Sequence, residues 1–240
     1  MPPSIRRLSE ISTISIYNSD LIEWSKEAAL TPDAFSIITY LQIVKSNLTE
    51  IPPGLLQELP RTLIDIQIIE SAVPTAFPAV VSQRWANVTV LYVERCTLTD
   101  VPDAIMQLPK LDQLSLAHNN IHELPPHFFE ATAIRTLRYL IMSANPLEAL
   151  PTNLANASAL LEMYLDQTDV AQLPASAFNS SLVVSAWNST MCTSNAGGAD
   201  DPRVNCHGLY GNIFRSGVYP LDPDIRAERV QNFLSDLVSN

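Results

Sequence analysis

Glycine is scarce in this chain of 240 residues, with only six, and charged residues make up just 16%. So few glycines leave no phosphate-cradling Gly-rich loop, and Gly197-Gly198 reads simply as a turn. Neither a G-x-S-x-G elbow nor a paired-cysteine metal motif occurs. Basic residues are also few, 14 against 25 acidic, for a net charge of −11. With no run of four Lys or Arg, phosphate backbones are repelled, so nucleic acid is excluded as a partner. The same charge disfavours anionic membrane surfaces. No stretch of 18 apolar residues exists to insert in a bilayer. The opening MPPSIRRLSE lacks the apolar run of a signal peptide, so the sequence reads as a cytosolic protein or as part of a longer secreted one.

What is present is apolar material, 47% of the chain, and 18 prolines. That combination suits many short, rigidly turned units. A repeat search finds them. The clearest unit is Leu111-x-x-Leu114-x-Leu116-x-x-Asn119-x-Ile121, followed by Leu124-Pro125. Equivalent series run through Leu137, Leu140, Met142, Asn145 and Leu147, and through Leu160, Met163, Leu165, Thr168 and Val170. Earlier copies begin at Ile11, Ile38, Leu63 and Val88, and a degenerate last copy holds Val184, Ala186, Ser189 and Met191. Successive copies start 21 to 27 residues apart.

The alternating core of each copy reads as a short strand with one face buried. The ninth position carries Asn119 or Asn145, or the substitutes Ser19, Ser46, Ser71, Cys96, Thr168 and Ser189. A small polar group there bonds backbone that would otherwise be buried unpaired. Cys96 in this slot reads as a buried thiol, not a nucleophile. An x-Pro step at Pro52, Pro102, Pro125, Pro151 and Pro174 ends each strand region and starts the return segment. Residues 22–37 are expected to form a helical return around Trp24, Ala28, Leu30 and Phe35.

Over residues 8–191 this pattern resembles the leucine-rich repeat family. The resemblance implies an α/β solenoid, a horseshoe of about eight coils with a concave parallel sheet and short helical or irregular convex segments. Stability then comes from stacking coils on their neighbours. We expect the solenoid to occupy 1–191 and a cap or tail to occupy 192–240. The missing N-terminal cysteine cluster suggests a portion of something longer. Asn188-Ser-Thr-Met-Cys192 resembles the Asn-Pro-x-Cys ending of extracellular arrays, with serine for proline. The resemblance favours a Cys192–Cys206 disulfide closing the polar stretch 193–205, the alternative being two unpaired thiols. Asp222-Pro223 starts an amphipathic helix over 223–238.

Glycosylation sequons occur at Asn47, Asn87, Asn156, Asn179 and Asn188. With the disulfide they favour an extracellular or membrane-associated setting over a cytoplasmic one. His118, His122 and His127 cluster in sequence, but without zinc-helix spacing they read as surface histidines, so no metal or cofactor is expected. Acidic pairs such as Glu162 and Asp166 lie on an open sheet, where nothing separates their pKa values for acid–base work. The chain therefore reads as a binding protein, not an enzyme.

Binding is expected on the concave face, through outward strand positions. These include Tyr40, Asp65, Tyr92, Glu94, Arg95, His118, Tyr139, Glu162, Tyr164, Asp166 and Trp187. Exposed Tyr92, Tyr139 and Tyr164 are the expected anchors of a protein or peptide ligand. The functional expectation is recognition, as in a receptor ectodomain. A cytoplasmic signalling scaffold and a structural wall or matrix protein are the alternatives.

Overall fold

The computed structural model describes residues 1–21, 23–73, 77–179, 181–193 and 201–207. Among them, nine strands form one parallel sheet in chain order. They are β1 (Thr13–Tyr17), β2 (Tyr40–Val44), β3 (Asp65–Ile69), β4 (Val90–Glu94), β5 (Gln113–Ser115), β6 (Tyr139–Ile141), β7 (Glu162–Tyr164), β8 (Val183–Ser185) and β9 (Val204–Asn205). Register follows the sequence repeat without slip. Leu41 lies beside Ile66, Ile66 beside Leu91, and Leu91 beside Leu114. Each inward residue thus stacks on its equivalent in the next coil, and together they line one continuous core.

Return segments are short. They include α1 (Val81–Arg84), α2 (Asp103–Met106) and α3 (Thr190–Thr193), with single 3-10 turns elsewhere, such as Pro53–Leu55, Phe128–Glu130 and Leu154–Asn156. The helical return expected over 22–37 contracts to one 3-10 turn, Lys26–Ala28. Pro32, inside that stretch, bars a continuous helix. Its apolar residues Trp24, Leu30 and Phe35 are nonetheless fully buried.

The polar ninth positions form a ladder between coils. The Asn119 Oδ1 accepts from the backbone N–H of Cys96 (2.9 Å) and Leu98 (3.1 Å), while its Nδ2 donates to the carbonyls of Val93 and Leu116. Asn145 repeats the arrangement one coil on, bonding Ile121 N, Leu116 O and Met142 O. Ser46 and Ser71 pair hydroxyl to hydroxyl at 3.2 Å. Cys96 is free and buried, donating to the Glu94 carbonyl at 3.2 Å, and burial pushes its thiol up to about 12. It is an inert member of the ladder.

One residue before each rung the chain turns with positive φ, at Asn18, Lys45, Glu70, Arg95, His118, Ala144, Gln167 and Asn188. Glycine, the residue that adopts this conformation without steric cost, occupies none of these positions.

At the N-terminus, the 3-10 turn Pro3–Arg7 lies against the Lys26–Ala28 turn, and Ile5 and Ile11 pack on the core. The first coil is therefore partly covered. At the other end a disulfide joins Cys192 to Cys206, with Cα atoms 5.5 Å apart. It holds β9 beside β8, so the sheet runs past residue 191 and the polar stretch 193–205 contributes a strand at its end. Arg203 supports this strand by pairing with Asp201 at 2.6 Å and donating to the Ala177 carbonyl. Gly197-Gly198 and the helix expected over 223–238 lie outside the described residues.

Gly54 shows how tightly coils stack on the convex side. A Cβ there would run into the Trp24 indole and lie 2.9 Å from the Ser25 carbonyl oxygen. Trp24 is held by its own bond to the Ala28 carbonyl at 2.7 Å and cannot give way cheaply. Gly54→Ala is expected to lower unfolding free energy by about 1–3 kcal/mol through overpacking, measurable by urea denaturation.

Candidate functional site: the concave face

Alternation along each strand sends the second side chain of every inward pair to the concave surface. In-register pairing arranges these side chains in rows that cross the sheet. One row holds Tyr40, Asp65, Val90, Gln113, Tyr139, Glu162 and Val183. The next holds Gln42, Gln67, Tyr92, Ser115, Ile141, Tyr164 and Ser185. The sheet thus brings together expected site residues far apart in sequence.

At the N-terminal end the face is a hydrogen-bonded network. Gln67 Oε1 accepts from Tyr40 OH (3.2 Å) and Gln42 Nε2 (3.1 Å), and Gln67 Nε2 donates to Asp65 at 3.2 Å. At its centre is a second apolar cluster, separate from the core. Tyr92, Ala117, Ile141 and Tyr164 form it, with Val90 and Tyr139 packed alongside. Arg138 stacks on Tyr139, 5.6 Å from the ring centroid, and is itself paired with Asp112 at 2.9 Å.

Here the structure corrects the expectation of exposed anchors. Tyr92 and Tyr164 are 5% and 2% exposed, and Glu94 only 1%; Tyr139 is half-buried. Aromatic rings on adjacent strands bury one another's faces, a cross-strand effect that single-strand alternation does not register. Tyr40, Asp65, Arg95, His118, Glu162 and Asp166 are half-buried, and Trp187 is 46% exposed. His122 and His127 are exposed and lie outside the strands, and no cluster of potential metal ligands occurs among the described residues.

Carboxylates ring the cluster, each bound to a hydroxyl. Ser115 Oγ donates to Glu94 at 2.7 Å, and Tyr164 OH donates to Glu162 at 2.5 Å. Burial, aided by Glu162, raises the Tyr164 pKa, so the phenol stays a donor. Asp166 Oδ1 accepts from Ser185 Oγ (2.6 Å) and from the Trp187 backbone N–H (2.7 Å), and Ser143 Oγ lies 3.4 Å from Oδ2. Burial raises the Asp166 pKa, and these bonds only partly offset it.

Two members of the site, Ser185 and Val183, were not singled out from sequence. Ser143 and Ser185 flank Asp166 in the folded sheet, a placement visible only once the rows are aligned. Val183, 40% exposed, begins β8. Its copy of the repeat is degenerate, and counting back from Ser189 would have placed it. Among the sequons, Asn47, Asn156 and Asn188 are exposed, while Asn87 is half-buried and accepts from Lys110 Nζ at 2.7 Å. The Asn179 side chain lies outside the described residues.

One strand per coil, a shared polar ladder and a single parallel concave sheet define a leucine-rich repeat solenoid. Residues 86–147 match the model of the leucine rich repeat family. No curated protein matches the sequence significantly. Among solved structures it is similar to a leucine-rich repeat protein of Leptospira interrogans (TM-score 0.61, 23% identity), covering 79% of this chain and 46% of that one. It is also similar to the plant peptide hormone receptor RGFR1 in complex with RGF2 (TM-score 0.54, 17% identity), covering 77% and 31%. A third is an internalin from Listeria monocytogenes (TM-score 0.54, 17% identity), covering 76% and 49%. These likenesses are of fold, and the chain spans less than half the length of each.

The raised Asp166 pKa sets a pH dependence. The folded state holds this proton more tightly than the unfolded chain. The group's contribution is therefore most favourable below the unfolded carboxyl pKa of about 4, and is lost as pH rises through the raised folded value. Asp166→Asn keeps an oxygen acceptor for Ser185 and Trp187 but cannot titrate. The stability difference, parent minus variant, should fall as pH rises through that window and then level off. Denaturation curves at several pH values check this.

Proposed function

We propose that this chain recognises a protein or peptide through its concave face, as the ligand-binding part of an extracellular or membrane-associated receptor. The observation that carries this reading is the apolar cluster of Tyr92, Ile141 and Tyr164 on the face, ringed by Glu94, Glu162 and Asp166. Aromatic side chains beside fixed charges suit recognition, combining apolar area with directional bonds. The carboxylates are engaged with hydroxyls, an arrangement suited to orienting a ligand and not to acid–base turnover.

The Cys192–Cys206 bond supports an oxidising compartment, and exposed Asn156 and Asn188 are accessible to glycosylation there. A similar solenoid, the plant receptor, is one that binds a peptide hormone, which is consistent with the same use of the fold. We take residues 1–191 as the recognition solenoid and 192–240 as its cap and tail. Contact with the ligand is assigned to the half-buried and exposed positions Tyr40, Asp65, Arg95, His118, Tyr139 and Trp187. Buried Tyr92, Tyr164 and Glu94 form the floor.

Trp187 and Tyr139 test this. Ligands selected on the parent chain from a displayed peptide library should lose about thirtyfold in affinity against Trp187→Ala, the effect of removing an interface anchor, and less against Tyr139→Ala. Ligands that bind both variants as tightly as the parent contradict the concave assignment.

A further inference from the structure

The first strand leaves one edge of the sheet open. Among the described residues β1 pairs only with β2. The Ser12 carbonyl accepts from the amides of Thr39 and Tyr40, and Asn18 N donates to the Val44 carbonyl. Even-numbered residues thus turn their backbone groups toward β2. By alternation the N–H and C=O of Thr13 and Ser15 point outward, away from the sheet. Both residues are exposed.

Exposed strand edges are ordinarily guarded by Lys, Pro, a bulge or brevity. β1 has none of these. Residues 11–19 contain no charge, no Pro and no Gly, and Ile14, Ile16 and Tyr17 are strong strand formers. Register with β2 is regular over all five residues. By contrast β9, at the other end, is two residues long. The surface beside β1 is also apolar. Leu8 is 52% and Tyr17 41% exposed, and Ile5, Ile11 and Ile16 pack on the core while only half-buried.

We propose that β1 pairs antiparallel with β1 of a second copy of this chain, about a two-fold axis at Ser15, joining two concave sheets into one. The strand is complementary to itself in this register. Ser15 exchanges backbone bonds with its own counterpart, Thr13 faces Tyr17 of the second copy, and Ile14 faces Ile16. β-branched and aromatic side chains are favourable cross-strand neighbours, and the second contact covers Ile16. Charge selects this end. The chain carries −11, which on average sets copies against each other, yet residues 1–19 hold Arg6 and Arg7 against Glu10 alone. Two copies therefore approach with least repulsion through β1. The axis stands perpendicular to the sheet and leaves both concave faces on one side. With those faces as recognition surfaces, the pair engages a bivalent partner twice. The pairing itself does not depend on that reading.

Analytical ultracentrifugation of the full chain tests the pairing, with substitutions at Ser15, where the two copies meet. The parent should sediment as a dimer at about 100 μM, as a small interface allows. Ser15→Lys places two ammonium groups opposite each other, and Ser15→Glu two carboxylates. Each variant alone should raise the dimer dissociation constant about fivefold. An equimolar mixture of the two should regain the parent's affinity, Lys facing Glu, a rescue that a folding defect would not give. A monomeric parent, a dimer indifferent to Ser15→Lys, or a mixture no tighter than its components would each overturn the proposal. None of these results touches the Trp187 and Tyr139 measurement, so the two readings fall separately.

Discussion

The middle coils of this molecule depend on one interaction: the sharing of a buried polar side chain between a coil's own backbone and its neighbour's. Asn119 satisfies two amides of the preceding coil and carbonyls on both sides of the joint, and Asn145 satisfies one amide and carbonyls on both sides. Turning the chain off a strand buries backbone groups that cannot pair within the coil. Left unpaired, each would cost about 1–3 kcal/mol. The ladder therefore fixes the stacking distance, and with it the register of the strands. The register in turn aligns the rows of the concave face.

That face inherits its order from the ladder. The eight residues that turn with positive φ sit between strand and rung, and the strain they accept places each rung residue beneath the previous coil. Asn18 and Asn188 suit the conformation; Lys45, Glu70, Arg95, His118, Ala144 and Gln167 are held in it by the stacking on either side. With rungs and strands fixed, the outward side chains have defined neighbours. Tyr92, Ile141 and Tyr164 close into a cluster, and Asp166 gathers donors from the next coil. A surface built this way is pre-organised.

The repeat was legible because inward leucines recur at fixed offsets, so strands, core and ladder positions all emerged from spacing. Four things were not. The return segment at 22–37 is apolar enough for a helix, yet Pro32 and a short span leave only a turn. The positive-φ positions carry no glycine and give no local signal, because tertiary stacking and not residue type imposes the conformation. The burial of Tyr92, Tyr164 and Glu94 is a property of neighbouring strands, and alternation within one strand cannot show it. β9 escaped for a similar reason: Val204 and Asn205 form a strand beside β8 through long-range contacts, the disulfide and the Arg203 bond to the Ala177 carbonyl.

The ladder is the claim on which the rest stands, and Asn145 is its most direct probe. Asn145→Ala strips a partner from the Ile121 amide and from the Leu116 and Met142 carbonyls at once. Urea denaturation should show a loss of about 2–5 kcal/mol, while Asn120→Ala, at an exposed neighbour of the previous rung, should change stability by less than about 0.5 kcal/mol. Equal and small effects from both substitutions would contradict the account.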